Sequence, residues 1–443
     1  MARILIDCTL IDFGRQPTGI PRVVLRYIEE GYRWAEATGH EVIPVVPTAN
    51  GVWLCRPVPG EDPPAALVAA AAASTAFDKD AKRKRGHAGD PPHLIRPGAG
   101  DVLFCPSYWH DNDPQLYRDI KASGCKVVVL VHDVLPIAWK QFYNAPWRYG
   151  FAAAVLQAIG YANRLLCVSN VTKTDLEAFA ARRGLPLPPT AVAHNGFQPL
   201  VSTAVAARIL ENRLGLHTSD AAARRALAGA GPAPLLMVGS VEPKKGHMPV
   251  VRCLEAMWAA GYPRDLVIIG RPGWMEKEIV DHIDSSPFKE TKLFWLSGLD
   301  DFDLAYAYLR SHALVFASIA EGFGLPMIEA AMSGRPVVVL DTPIAREVLG
   351  GHGAYFEDAA ALVRALLRLE DADVYAAARD ELATFAWPAW SRLVPALFDD
   401  LIGLPVALAD ATGRDGRADL TAPAHNREVS WTYSKPSGRR SRN

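Results

Sequence analysis

The stretch ASIAEGFGLPMIEAAMSGRPVVVLD, from Ala317 to Asp341, constrains the fold more than any other part of the sequence. The apolar run Ala313–Ser318 has the length of a buried strand, and the glycines of the E-G-F-G sequence that follow end it in a loop. Pro326 favours the start of a helix and Gly334 its end, before the next apolar strand. These signals predict a strand–loop–helix–strand unit of a parallel sheet. The free backbone N–H groups at its loop suit a phosphate or a polyhydroxylated ligand.

Two carboxylates, Glu321 and Glu329, belong to this unit. Glu321 is in the loop, and Glu329 is one turn into the helix, about 4–6 Å further along its axis. The pair could hold two neighbouring parts of one ligand. Charged side chains are mostly exposed, so two solvated surface acids are the alternative interpretation. The glycine and proline residues around the pair favour a ligand site.

The composition excludes several classes of protein. A chain of 443 residues is long enough for two domains, and a net charge of −1 gives no field that would attract nucleic acid. We find neither a membrane-length apolar run nor the features of a signal peptide in Met1–Asp7, which predicts a cytoplasmic location. The six cysteines lack a C-x-x-C pair and the histidines lack ligand spacing, so buried thiols and no metal site are expected.

Short apolar runs alternate with helical patterns through both halves of the chain. This alternation predicts an α/β protein with doubly wound parallel sheets in two domains. The apolar runs are Ile4–Ile6, Val42–Val46, Val102–Cys105, Val127–His132, Leu165–Ser169 and Ala191–His194, then Leu235–Val238, Leu266–Ile269, Leu293–Leu296, Leu314–Phe316 and Val337–Leu340.

Composition shifts place the domain boundaries. We expect an N-terminal domain over 1–200, a connection over 201–233 and a C-terminal domain over 234–386. A last helix over 387–403 is expected to pack back on the first domain, and 404–443 has the composition of a disordered tail.

The Pro-rich, Ala-rich and charged stretch 56–100 is expected to be a mobile insertion. Its basic run Lys82-Arg-Lys-Arg85 could contact anionic lipid headgroups or an anionic acceptor. A solvated loop is the alternative for these four cations.

Three further sequence features lie where doubly wound folds bind ligands. His132 and Asp133 end an apolar strand, which predicts a functional pair at the carboxyl edge of the first sheet. Gly19 precedes a helix start, where either a ligand loop or a structural turn fits. Lys244 and Lys245 lie in the second-half sequence GSVEPKKGH, which suits a diphosphate although it is not a Walker A loop.

The acidic pair Asp301 and Asp303 has the D-x-D form of some metal sites. It precedes a helical pattern, so an acidic N-cap and first turn explain it better. We therefore predict that it does not bind a metal ion.

With these motifs placed, the first 400 or so residues resemble the retaining glycosyltransferases of family 4. The sequence Glu321-Gly-Phe-Gly-Leu-Pro-Met-Ile-Glu329 is similar to the family's E-x7-E signature in the form EGFGLPxxE, and G-R-P-V-V follows it as in the family. The sequence P-T-G-I-P-R that contains Gly19 resembles the N-terminal glycine loop. His132-Asp133 resembles the active-site HD pair, and the loop with Lys244 and Lys245 resembles the phosphate-binding loop.

The resemblance implies a GT-B fold, in which two Rossmann-like domains face each other across a cleft. It implies transfer of a hexose from a nucleotide diphosphate sugar to an acceptor hydroxyl, with retained anomeric configuration, no essential metal and no further cofactor. Many relatives have Arg where Ser240 follows the loop glycine, and the form with Glu-Pro and a basic pair resembles a subgroup that often uses GDP-mannose. The basic run 82–85 favours a glycan or lipid-linked glycan as the acceptor, with the protein peripheral on the inner face of the cell membrane.

The family pattern also assigns roles to individual residues. Glu329 would hold the ribose, Lys245 the diphosphate, and His132 would lie near the sugar and the acceptor. Glu321 would hold the transferred sugar. The remaining donor contacts implied by the resemblance come from Gly19, Ser240, Lys244, Gly322, Phe323, Gly324 and Leu325. A nucleotide-sugar epimerase and a catalytically silent nucleotide-sugar-binding scaffold are the alternatives.

Overall fold

The computed structural model describes residues 1–11, 19–48, 51–54 and 94–403. The chain forms two compact units, one from Met1–Gly196 with the segment that begins at Pro388, and one from Phe197–Trp387. Most of the predicted insertion, including the basic run Lys82–Arg85, and the predicted tail from residue 404 lie outside the described residues.

The first unit contains an eight-stranded sheet with the order β4-β3-β2-β1-β5-β6-β7-β8. Six neighbouring strands are parallel, namely β2, β1, β5, β6, β7 and β8. Strand β3 pairs antiparallel with β2 and with β4. The antiparallel edge was not predicted, because β3 and β4 are two to four residues long and pair across a long intervening sequence. The strands are β1 (Arg3–Asp7), β2 (Glu41–Thr48), β3 (Gly51–Leu54), β4 (Leu94–Ile95), β5 (Asp101–Cys105), β6 (Lys126–Val131), β7 (Arg164–Cys167) and β8 (Thr190–Val192).

Helices cover this sheet and connect its parallel strands. They are α1 (Ile20–Thr38), α2 (Pro114–Ala122), α3 (Leu135–Ala138), α4 (Ala145–Tyr161) and α5 (Asn170–Ala181). The apolar spacing of α1 buries Val24, Tyr27, Ile28 and Gly31, which is the face that its sequence period predicts.

The last described helix, which we number α15 (Trp390–Ile402), belongs to the first unit and packs on α1. Phe398 is fully buried there, with ring centroids 5.5 Å from Trp34 and 6.2 Å from Phe104. The indole N–H of Trp34 donates to Asp399 at 2.8 Å. A Cβ at Gly31 would lie 2.8 Å from the Phe398 ring, so this crossing needs a glycine on α1.

Replacing Phe398 by alanine should therefore lower the free energy of unfolding by about 3–5 kcal/mol, because it removes a buried ring and leaves a cavity. Urea denaturation followed by circular dichroism measures this loss. Phe398→Leu, which keeps most of the apolar volume, should lose less than half as much. Equal losses for the two variants would contradict a cavity at this crossing.

The second unit contains a six-stranded sheet in which all strands are parallel, with the order β11-β10-β9-β12-β13-β14. Its strands are β9 (Leu235–Val238), β10 (Leu266–Ile269), β11 (Leu293–Leu296), β12 (Ala313–Phe316), β13 (Val337–Leu340) and β14 (Ala354–Phe356). The first five lie on the predicted apolar runs. The edge strand β14 has only three residues and carries no alternation long enough to be read from the sequence. The predicted doubly wound α/β architecture is confirmed in both units.

Helices also surround the second sheet. They are α6 (Thr203–Leu210), α7 (Ala221–Ala228), α8 (His247–Ala259), α9 (Lys277–Ser285), α10 (Asp301–Arg310), α11 (Leu325–Met332), α12 (Pro343–Leu349), α13 (Ala359–Arg368) and α14 (Ala372–Leu382). The stretch 201–233, expected to be a connection, supplies α6 and α7 to this unit. Both helices pack against α10.

Asp303 explains part of that packing. Its carboxylate is buried and accepts hydrogen bonds from the backbone N–H of His217 at 2.7 Å and of Thr218 at 3.0 Å. Asp300 caps α10 by accepting from the N–H of Asp303 at 2.7 Å. Asp303 therefore has a structural role, and the N-cap of this helix is Asp300.

Within the described ranges, no helix is both long enough and apolar enough to cross a membrane. No group of three or more His, Cys, Asp or Glu side chains in these ranges is arranged to hold a metal ion. The five cysteines found there form no disulfide, and four of them are buried.

Candidate functional site

The order of the second sheet creates a crevice between β9 and β12. From β9 the chain proceeds to β10 and β11 on one side, and from β12 it proceeds to β13 and β14 on the other. The loops that leave the carboxyl ends of β9 and β12 therefore run in opposite directions, which is where doubly wound sheets bind ligands. These loops are Gly239–Gly246, which we call the lysine loop, and Ala317–Gly324, which we call the glutamate loop.

The lysine loop is fixed to the strands on both of its sides. The N–H of Val241 donates to the carbonyl of Arg271 beyond β10 at 2.9 Å. The carbonyl of Lys244 accepts from the N–H of Ile319 in the glutamate loop at 2.8 Å. Residues 243–245 form a single 3-10 turn between these anchors. The backbone of the lysine loop is thus held in place before any ligand binds.

Two glycines are required by the close approach of the loops. Gly246 has φ 73°, and a Cβ on it would lie 2.3 Å from the carbonyl oxygen of Ala317. Gly324 has φ 92°, and a Cβ on it would lie 2.5 Å from Cε of Met327. Only glycine combines this left-handed backbone with so little room. The two positions start helices α8 and α11, so both helix N-termini are brought to the crevice.

Four charged side chains meet in this crevice. Nζ of Lys245 forms an ion pair and hydrogen bond with Oε1 of Glu321. Nζ of Lys244 lies 3.2 Å from Oε2 of Glu242. The hydroxyl of Ser240 donates to the other oxygen of Glu242. The structure thus joins the predicted residues Lys245 and Glu321 directly, although 76 positions separate them in the sequence.

The charge state of Glu321 follows from opposing effects. Burial by itself raises the pKa of this carboxyl. The positive charges of Lys245 and Lys244, with hydrogen bonds from Lys245 and Ser318, outweigh burial and leave the pKa below its ordinary value. Glu321 is therefore ionised at neutral pH, with only 10% of its side chain exposed.

Glu329 is also buried, with 8% of its surface exposed. Its Oε2 accepts a hydrogen bond from the hydroxyl of Tyr308 at 2.8 Å. This bond joins α11 to α10 and fixes the orientation of the carboxylate. The interpretation of Glu321 and Glu329 as solvated surface acids is therefore wrong.

The other predicted residues of the glutamate loop build its backbone. Gly322 and Phe323 are buried, and the Phe323 ring packs edge to face on Trp387 at 5.6 Å. Leu325 is the first residue of α11. The Phe323 side chain therefore anchors the glutamate loop to Trp387.

In the first unit, His132 directly follows β6, at the carboxyl edge of the sheet. Its Nε2 lies 2.7 Å from the carbonyl oxygen of Pro106. Because a carbonyl only accepts, Nε2 carries the proton and Nδ1 is left as an acceptor. Burial lowers the pKa of His132, against smaller opposing effects of Pro106 and Asp133, so the ring is neutral at pH 7.

Gly19 is the N-cap of α1, with φ 60° and an exposed surface. Among the described residues, no side chain caps this helix start, and none has an atom within 4 Å of a Cβ placed on Gly19. The loop residues 12–18 before it lie outside the described residues. The structure therefore places Gly19 at a helix N-terminus, as its sequence predicts.

One buried carboxyl was missed by the sequence reasoning. Asp7 ends β1, is fully buried, and accepts hydrogen bonds from the hydroxyls of Thr9 at 2.6 Å and Tyr117 at 2.8 Å. Burial raises the pKa of Asp7, although these hydrogen bonds oppose the shift. An aspartate that closes the apolar run ILI was the available signal. Asp7 joins the loop after β1 to α2 at the crossover of the first sheet.

Comparison with known proteins finds relatives by sequence and by fold. Residues 221–383 match the family model of glycosyl transferases group 1. The chain is 32% identical over 259 residues to the serotype-specific mannosyltransferase WbdA of Escherichia coli, an alignment that covers 58% of this chain and 31% of WbdA. The chain thus spans about a third of the length of the curated relatives it matches.

Two solved structures share the fold at low identity. The structure of Anabaena HepE in complex with UDP and glucose has a TM-score of 0.57 at 16% identity and covers 90% of this chain and 99% of HepE. Sucrose-phosphate synthase from Thermosynechococcus elongatus has a TM-score of 0.58 at 16% identity, over 91% of this chain and 100% of that enzyme.

The fold of the two units, with a ligand crevice at the crossover of the second sheet, is that of the GT-B glycosyltransferases. Residues 221–383 are a glycosyl transferases group 1 domain. The resemblance to family 4, expected from the E-x7-E sequence, is confirmed, and the relatives include mannosyltransferases.

The ion pair of Lys245 and Glu321 generates a prediction about stability and pH. Lys245→Met should lower the free energy of unfolding at pH 7 by about 1–3 kcal/mol, because it leaves a buried carboxylate without its main partner. The native pKa of Glu321 is lowered, so the stabilisation is present above its ordinary value of about 4.3 and is lost as the pH falls through the native pKa.

Urea denaturation at pH 7 and pH 4 tests this prediction. The loss caused by Lys245→Met should shrink at pH 4, because protonation of Glu321 removes the unpaired charge from the variant. The double variant Lys245→Met/Glu321→Gln should recover part of the stability at pH 7. A loss that is equal at both pH values would contradict the electrostatic origin.

Proposed function

We propose that this protein is a retaining, metal-independent hexosyltransferase that moves mannose from GDP-mannose to an acceptor hydroxyl in polysaccharide or glycolipid synthesis. The observation that carries this proposal is the pairing of Lys245 with Glu321 at the crossover crevice, beside Lys244 and the N-terminus of α8. Cations, helix N–H groups and carboxylates lie together there. The cations and N–H groups suit a nucleotide diphosphate, and the carboxylates suit the hydroxyls of a sugar.

The choice of mannose is supported by the relatives. WbdA and the O-antigen chain mannosyltransferase B of Escherichia coli, each 32% identical over its aligned part, are both named mannosyltransferases. The sequence Glu242-Pro-Lys-Lys245 agrees with this donor through the family resemblance. Many relatives have an arginine directly after the loop glycine, and this chain has Ser240 there. Lys244 would supply the positive charge that the arginine supplies in those relatives.

Lys245 can serve the sugar site and the diphosphate at the same time. An ammonium group has three donors, so its bond to Glu321 leaves donors for phosphate oxygens. As the glycosidic bond breaks, negative charge grows on the leaving diphosphate. A cation aimed at it then stabilises the transition state more than the ground state. The ionised Glu321 keeps Lys245 in position and accepts hydrogen bonds from sugar hydroxyls.

Glu329 is suited to the ribose. A carboxylate accepts about four hydrogen bonds, so Glu329 can accept from the ribose as well as from Tyr308. Because Tyr308 also fixes the carboxylate, little rotamer freedom is lost when the nucleotide binds.

We infer that the anomeric configuration is retained, as the family resemblance implies, and the placement of the two acids argues against a hydrolase. Hydrolases that work by paired acids place them on opposite sides of the bond, about 5–10 Å apart. Here Glu321 and Glu329 belong to one loop and the helix that follows it, so they do not flank one bond. We infer a front-face substitution, in which the leaving diphosphate removes the proton of the acceptor hydroxyl. His132, with Nδ1 as an acceptor, would orient a sugar or acceptor hydroxyl.

Donor binding is the first test. GDP and GDP-mannose should raise the unfolding temperature, because a ligand at 100 times its Kd adds about 2.7 kcal/mol to the native state. Lys245→Ala should abolish this rise, whereas Lys277→Ala should keep it, since Lys277 is an exposed lysine of α9 paired with Asp281. A larger rise in unfolding temperature with UDP than with GDP would show that the donor nucleotide is UDP and contradict the choice of GDP-mannose.

The reaction itself is the second test. With GDP-mannose and a mannose-terminated acceptor, proton NMR should show a product with the α configuration of the donor. Activity should be unchanged by a chelator, which separates this mechanism from one with a metal-bound diphosphate. An inverted product would exclude the front-face mechanism. Isomerised sugar without acceptor would indicate an epimerase, and nucleotide binding without turnover a scaffold.

A further inference from the structure

The segment that follows β6 is rich in aromatic residues. Residues 139–149, with the sequence WKQFYNAPWRY, contain five aromatic residues in eleven positions. Aromatic residues make up 9% of the whole chain, so this density is not explained by composition. The segment was not identified as functional from the sequence, although this density was the signal available.

Trp147 of this segment contacts an aromatic cluster in the loop that follows β5. The His110 ring lies 5.6 Å from Trp147 and 5.3 Å from Phe151, centroid to centroid, and 6.1 Å from Tyr108. Trp109 and Phe151 are buried beneath these rings. We call the group formed by Tyr108, His110 and Trp147 the aromatic platform.

Hydrogen bonds fix the elements that carry the platform. Trp147 lies in the first turn of α4, where its backbone N–H donates to the capping side chain of Asn144 at 2.9 Å. The indole N–H of Trp109 donates to the carbonyl of Leu130 in β6 at 2.9 Å. A rigid aromatic surface loses little conformational entropy when it binds a ligand.

The platform also has polar groups that pair with none of the described residues. Trp147 is 37% exposed, and none of the described residues accepts a hydrogen bond from its indole N–H. The half-buried hydroxyl of Tyr108 likewise has no hydrogen-bond partner among the described residues. Buried or half-buried Tyr and Trp usually find such partners. Apolar ring faces beside unused polar groups match a pyranose, which has an apolar C–H face and a rim of hydroxyls.

The platform lies on the same edge of the sheet as the candidate catalytic histidine. His110 follows β5 and His132 follows β6, and these strands are parallel neighbours. The bond from His132 to the carbonyl of Pro106 joins the two loops directly. An acceptor whose hydroxyl lies near His132 can therefore extend along this edge towards the platform.

We propose that the aromatic platform is a stacking subsite for a pyranose of the acceptor, so that the acceptor is an oligosaccharide chain. This inference rests on the proposed function and specifies its acceptor. One sugar presents the reacting hydroxyl near His132, and another stacks on Trp147. An anionic membrane fits this surface less well, because the exposed carboxylates of Asp111 and Asp113 next to the platform repel acidic headgroups.

Calorimetric titration of the full chain with α-linked mannotetraose and with maltotetraose tests the proposal. The wild-type protein should bind at least one of them, and Trp147→Ala should weaken that binding by about tenfold. Trp147→Phe, which keeps a ring, should stay within about threefold of the wild type. Tyr149→Ala is the matched control, because Tyr149 is 70% exposed on the same helix, two residues from Trp147 and so on a different face.

The outcomes separate the subsite from the proposed function. Trp147→Ala should keep the thermal shift with GDP, which shows that the variant is folded and that its donor site is intact. Tetrasaccharide binding that does not depend on Trp147, or no binding to the wild type, overturns the subsite while donor binding stands. Equal losses for Trp147→Ala and Tyr149→Ala, with binding to phosphatidylglycerol vesicles, would show a membrane surface instead. If tetrasaccharide binding depends on Trp147 but no nucleotide binds, the subsite stands and the proposed donor chemistry fails.

Discussion

The ion pair between Lys245 and Glu321 is the interaction on which the candidate site depends. It joins the loops that leave β9 and β12, and these loops lie together only because the two strands are neighbours at the crossover of the sheet. The backbone bond between Ile319 and Lys244 and the close approach of Gly246 to Ala317 hold the same junction without charge. A buried cation and a buried carboxylate are each costly alone and acceptable as a pair. The junction therefore holds a cation beside a carboxylate, and the proposed sugar diphosphate would bring a phosphate to the first and hydroxyls to the second.

The two units use the same topological feature for different chemistry. In the second unit the loops at the crossover carry charge, with two lysines and two carboxylates. In the first unit the corresponding edge carries a neutral histidine, the buried Asp7 and the aromatic platform, and the exposed charges next to the platform are the carboxylates of Asp111 and Asp113. Charge suits a nucleotide diphosphate, whereas neutral acceptors and aromatic rings suit a carbohydrate. This division is the basis for proposing a donor site in the second unit and an acceptor subsite in the first.

Much of the site could be predicted because its signals are local. The glycines of the E-G-F-G sequence, the proline two residues into the helix and the following apolar run specify strand, loop and helix within a few positions, and each was found where expected. Other features depend on partners far away in the sequence. The Tyr308 bond that fixes Glu329, the placement of α6 and α7 on α10, and the contact of His110 with Trp147 join residues from different elements. No local pattern predicts such pairs, so they were missed.

The sequence by itself determined the alternation of strands and helices, the two-domain α/β architecture and the identity of the charged residues that end the strands. These features depend on the spacing of apolar residues and on the residues that form turns, and both act over a few positions of the chain. Only the tertiary structure decided which charges meet and in what state they are held. Glu321 and Glu329 could have been solvated acids. The tertiary structure brings Lys245 to Glu321 and Tyr308 to Glu329. Because both carboxylates are buried away from water, their charge must be compensated by such partners.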